Sequence, residues 1–84
     1  MEATAMNLRH LAREVSSALE RSLVRMASAA LIEQLASATG LLTALVELPL
    51  DTEALRVWAG QAIARAERAL AEWKMWEEKH RVTA

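Results

Sequence analysis

No cysteine occurs among the 84 residues, which removes disulfide staples and thiolate metal ligands as sources of stability. Tyrosine and phenylalanine are also missing, and glycine occurs twice and proline once. Little therefore interrupts a helix, and the 54% hydrophobic content rests mainly on alanine and leucine, which head the helix-propensity ranking. Strands are not expected. An excess of either charge is lacking as well: ten basic against eleven acidic residues give a net charge of −1, which offers no general attraction to phosphate backbones or anionic lipid. The start, Met1 to Met6, carries Glu2 and lacks the cationic-then-apolar order of a secretory signal, so the expected location is cytoplasmic. The charge-free stretch from Gln34 to Val46, bracketed by Glu33 and Glu47, spans thirteen residues, short of the ~20 that a membrane-spanning helix needs. The two glycines stand twenty residues apart, which excludes a glycine-rich phosphate loop.

What is present favours a small helical domain in need of support. A 9.3 kDa chain buries only roughly 60% of the surface its unfolded form exposes, and without disulfides the remaining supplement is association with other protein. Arginine outnumbers lysine eight to two and alanine is abundant, a composition that fits a GC-rich bacterial or phage genome.

In the first half, Leu8, Ala12, Val15, Leu19, Leu23, Met26 and Ala30 recur at steps of three or four, the period of one helical face. This predicts one helix from about Thr4 to Thr39, with Asn7 an alternative N-cap and Ser16-Ser17 or Ser28 as places where serine could break it. Gly40 is the expected C-terminal stop. A short apolar helix or connector is expected over about 41–48, ended by Pro49. The second long helix, about 52–80, should start at Asp51 as N-cap with Glu53 in its first turn. The fold expected is all-α, one domain over residues 1–84: an antiparallel hairpin of two long helices, dimerising into a four-helix bundle.

The hairpin seam is predicted at Leu55, Ala59, Ala62, Ala66, Ala69, Trp73 and Trp76, with His80 following, a 4-3 alternation that runs without a slip. Its alanines permit a close approach of a neighbouring helix, and folding back near residue 45 sets Ala62 and Ala66 opposite Ala30 and Met26. Between Ala27 and Leu50 the apolar residues exceed what one neighbour can cover. Leu31, Ile32, Leu35, Leu41, Leu42, Leu45, Val46, Leu48 and Leu50 are therefore the expected partner or dimer interface.

Chemistry-bearing clusters are sparse. Glu77 and His80 are three apart, the ligand spacing of carboxylate-bridged metal bundles, and the hairpin would bring His10 to the same end. The inward glutamates such a site needs are lacking, so no metal or other cofactor is expected. No serine or threonine has a histidine and an acidic orienter in register, so an enzyme is not expected either. Arg9, Arg13, Arg21 and Arg25 form the one basic strip, interrupted by Glu14 and Glu20.

Two short stretches resemble known proteins. Trp58-Ala59-Gly60 is similar to the turn tripeptide of small secreted Trp-x-Gly hairpins, although here it falls inside the second helix. Arg13-Glu14-Val15-Ser16-Ser17 through Ser28 resembles the first helix of dimeric histidine-kinase phosphotransfer domains, which are also hairpins pairing into four-helix bundles. Ser16 stands where their phosphoacceptor histidine would be, so the resemblance carries no phosphotransfer chemistry to this chain. The function expected is that of a non-catalytic protein–protein interaction module of adaptor, chaperone or inhibitor type, acting as a homodimer. The alternative is a small nucleic-acid-binding regulator using the arginine strip.

Overall fold

A computed structural model describes residues 2–49 and 51–80 of the chain. Among these there are three α-helices and no strand: α1 (Glu2–Val24), α2 (Ala29–Val46) and α3 (Glu53–His80). The all-α class stands, but the single helix expected over about 4–39 is two helices. The chain reverses between Val24 and Ala29 and again between Val46 and Glu53, so α2 runs antiparallel to α1 and α3, which are parallel to each other.

The first reversal is built from backbone hydrogen bonds. Ala27 N–H donates to the Ser22 carbonyl at 2.9 Å and Met26 N–H to the Leu23 carbonyl at 3.2 Å, the paired 6→1 and 5→2 bonds of a Schellman ending. That ending demands a left-handed residue, and Met26 supplies it at φ 57°, a conformation that costs a side-chain-bearing residue about 1–2 kcal/mol. Ser28, at φ −61° and ψ 148°, then caps α2 by accepting from Leu31 N–H at 3.3 Å. Of the break points suggested by serine, Ser28 is where the chain turns; Ser16 and Ser17 lie within α1.

Gly40, expected to end the first helix, sits inside α2, and the expected connector over 41–48 is for the most part the second half of that helix. With no positive φ at Gly40, its freedom is unused. At the second reversal Thr52 rather than Asp51 caps α3, its hydroxyl accepting from Leu55 N–H at 3.2 Å.

One core joins the three helices. α1 contributes Leu8, Val15 and Ala18, with Ser22 wholly enclosed and its hydroxyl donating to the Leu19 carbonyl at 2.7 Å. Leu23 and Met26, expected on the inward stripe, are 55% and 85% exposed, because the stripe continues through Ala18 and Ser22 and the chain then turns away. Ala30 is exposed for the same reason, since α2 starts in a new phase. α2 contributes Leu31, Leu35, Ala38, Leu42 and Leu45, a 4-3-4-3 stripe. α3 contributes Ala59, Ala62, Ala66, Ala69 and Trp73. The layer is elongated, 48 × 21 × 16 Å, and exposes 5856 Å² of surface.

Candidate functional site

The seam residues of α3 line the core side of that helix: Ala59, Ala62, Ala66, Ala69 and Trp73 are buried, while Leu55 and Trp76 are half-buried. Alanine there lets α3 lie against the leucines of α2, a small-against-large pairing that fills the space between axes.

The residues expected to form an outward interface fall elsewhere. Leu31, Leu35, Leu42 and Leu45 are enclosed by the chain's own helices, and Ile32, Leu41 and Val46 are half-buried against them. Leu48 is 39% exposed, and Leu50 lies outside the described residues. What α2 shows to the outside is small: Ala29, Ala36, Gly40 and Ala44, with Ser37, Thr43 and Glu33 between them. The 18 residues of α2 are apolar and long enough to span a membrane, and 28% of them are buried within the protein. Of the large side chains, Leu31, Leu35, Leu42 and Leu45 point into the core. Among the described residues the large exposed apolar side chains are Leu23, Val24 and Met26 at the first reversal, Leu48, Val57 and Trp58 near the second, and Met75 of α3.

Two clefts follow one another along the seam between α2 and α3. The first, about 650 Å³, lies between the start of α2 and the end of α3 and is lined by Ala30, Leu31, Gln34, Glu72, Met75, Trp76 and Lys79 among others. The second, about 360 Å³, shares Gln34 and Glu72 with it and adds Glu33, Ser37, Ala38, Arg65 and Arg68. Together they form one groove with an apolar head at Met75 and a charged continuation.

A different cluster ties the end of α3 to α1. Trp73 and Trp76 stack with centroids 5.4 Å apart, and Trp76 stacks on His80 at 4.1 Å. The Arg25 guanidinium lies 5.0 Å from the Trp76 ring and donates to the His80 carbonyl at 3.3 Å. Arg21 and Arg25 also reach Glu77, at 3.8 and 3.7 Å. Half of the expected basic strip is thus turned toward α3, leaving Arg9 and Arg13 exposed at the other half of α1. These contacts matter because α1 and α3 touch less than either touches α2. Ion pairs this exposed contribute about 0–1 kcal/mol each. The arrangement fixes the packing of α3 against α1 more than it stabilises it.

Histidine placement also differs from expectation. Because α1 and α3 are parallel, His80 meets Arg25 while His10 pairs with Glu14 at 3.7 Å, about four helical turns away along α1. Among the described residues no group of three or more His, Cys, Asp or Glu side chains could hold a metal ion. Trp73 is 1% exposed and its Nε1–H has no hydrogen-bond partner, at a cost of about 1–3 kcal/mol. The α1–α3 cleft that Trp73 lines, about 400 Å³, is also lined by His10, Arg13, Glu14, Ser17, Arg21, Lys74 and Glu77, with His10 and Glu14 3.7 Å apart.

Comparison of the chain with protein-family models, with curated proteins and with solved structures gives no match in any of the three.

Proposed function

We propose that this chain is a small, non-catalytic protein–protein interaction module of the cytoplasm that works as a homodimer, in the manner of an adaptor, chaperone or inhibitor. The observation that supports the reading is surface. A compact monomer of 9.3 kDa exposes about 5000 Å² by the scaling of surface with mass, whereas this chain exposes 5856 Å². The difference, roughly 900 Å², is close to the ~800 Å² that each partner contributes to a standard protein interface. Met75, 71% exposed, lies beside an open groove.

The reading differs from the sequence expectation in where the interface lies. Leu31, Leu35, Leu42 and Leu45 serve the chain's own core, so association is assigned to the groove and to the apolar residues around Met75. Sedimentation velocity together with binding of an apolar dye tests it: self-association or dye binding is expected, and a stable monomer that binds no dye sinks it. A nucleic-acid regulator is the weaker reading, because Arg21 and Arg25 are engaged with Glu77 and Trp76.

A further inference from the structure

We propose that the α2–α3 groove is closed by the same groove of a second copy, with α3 antiparallel to its mate about a two-fold axis passing between Arg68 and Glu72, so that two α2–α3 pairs form a four-helix bundle. This deepens the interaction reading above and rests on it.

The charges in the groove select this occupant. Its charged stretch holds two guanidiniums, Arg65 and Arg68, and two carboxylates, Glu33 and Glu72. Among the described residues none of the four is held in an ion pair within the chain. A strongly acidic or strongly basic partner would find as much repulsion as attraction there. A surface carrying the same balanced set, turned end for end, can set Arg68 against Glu72 and Glu72 against Arg68.

The spacing on α3 makes the match specific. Gln61, Arg65, Arg68, Glu72, Met75 and Lys79 follow one another at steps of four, three, four, three and four along the groove side of the helix. An axis midway between Arg68 and Glu72 sets Arg68 against Glu72 of the mate and Glu72 against its Arg68. The same axis sets Arg65 against Met75, where the guanidinium stem covers the thioether, and Gln61 against Lys79. Each contact occurs twice, as an isologous interface requires. On the α2 side the groove presents Ala30, Ser37 and Ala38 together with Leu31, Glu33 and Gln34.

The charge pair supplies the experiment. The wild-type chain is expected to sediment as a dimer at concentrations of order 10–100 μM. Arg68→Glu and Glu72→Arg, each placing two like-charge pairs across the axis, are each expected to weaken the dimer about tenfold or more. An equimolar mixture of the two variants restores it as a heterodimer. Mixing is the informative arm, because a same-helix effect between positions four apart is not relieved by a second chain. Circular dichroism of each variant establishes that it folds. Should either fail to fold, the cysteine-free chain permits a second arm: Arg65→Cys mixed with Met75→Cys is expected to form a disulfide-linked heterodimer faster than either variant links to itself. A dimer that ignores both charge reversals, or no preference for the mixed disulfide, overturns the groove interface while the interaction reading stands. A wild-type monomer that still binds apolar dye removes the second copy as occupant and the homodimer from that reading, leaving interaction with a different protein. A monomer that binds no dye removes both.

Discussion

Met26 shows how much of this fold turns on one backbone angle. It is 85% exposed and sits at φ 57°, so its side chain contributes almost nothing while its backbone is strained. Glycine relieves the strain but adds disorder to the unfolded chain. Met26→Gly is expected to be stabilising by up to about 1 kcal/mol in urea denaturation, and a loss of stability would show that Met26 is covered by something in solution. Gly40 is the converse: a Cβ there meets no atom within 4 Å. Gly40→Ala should therefore add about 0.5–1 kcal/mol by restoring helix propensity. Ala66, wholly buried between α3 and its neighbours, has no such room. Ala66→Leu is expected to be destabilising by about 1–3 kcal/mol through overpacking, and a neutral result would place that position in solvent. Met26 and Gly40 also explain one failure of sequence reading. Glycine is the usual sign of a helix end, and here the end falls on a methionine while a glycine lies mid-helix.

At the level of elements, α3 was legible and α2 was not. The alternation of Ala59, Ala62, Ala66, Ala69 and Trp73 starts after a proline and an N-capping residue, so its phase can be read without knowing anything else. α2 has a stripe just as regular in Leu31, Leu35, Ala38, Leu42 and Leu45. Dividing the segment at Gly40 cut that stripe in two and made its leucines look as if they faced every direction. Once the helix starts at Ala29, the surplus of apolar side chains becomes an ordinary core face. The phase of α2 is set by Ser28, whose hydroxyl satisfies the Leu31 amide. Ser28→Ala is expected to cost about 1 kcal/mol. Its effect should appear as faster hydrogen exchange in the first turn of α2 before it appears in α3, and uniform loss across all three helices would mean that the cap is not a local device. The cluster of Trp76, His80, Arg25 and Glu77 was invisible for another reason. It joins residues more than fifty positions apart through a parallel α1–α3 contact that a two-helix hairpin does not contain.

For the whole molecule, the question is whether three helices suffice. A layer only 16 Å across its thinnest dimension has a core one side chain deep, and five of its fourteen buried apolar residues are the alanines and tryptophan of α3. Alanine brings helices close but removes little apolar area from water. If the layer gains its remaining stability by pairing, unfolding and dissociation are one event and the thermal midpoint must depend on concentration. Mass action then adds about 1.4 kcal/mol per dimer for each tenfold rise in concentration, about half of that per chain. For a domain of this size that raises Tm by about 3–5 °C per tenfold. Calorimetry over two decades of concentration measures it directly. A midpoint that stays fixed across that range would mean the layer is stable by itself, with the open groove between α2 and α3 left for a different protein.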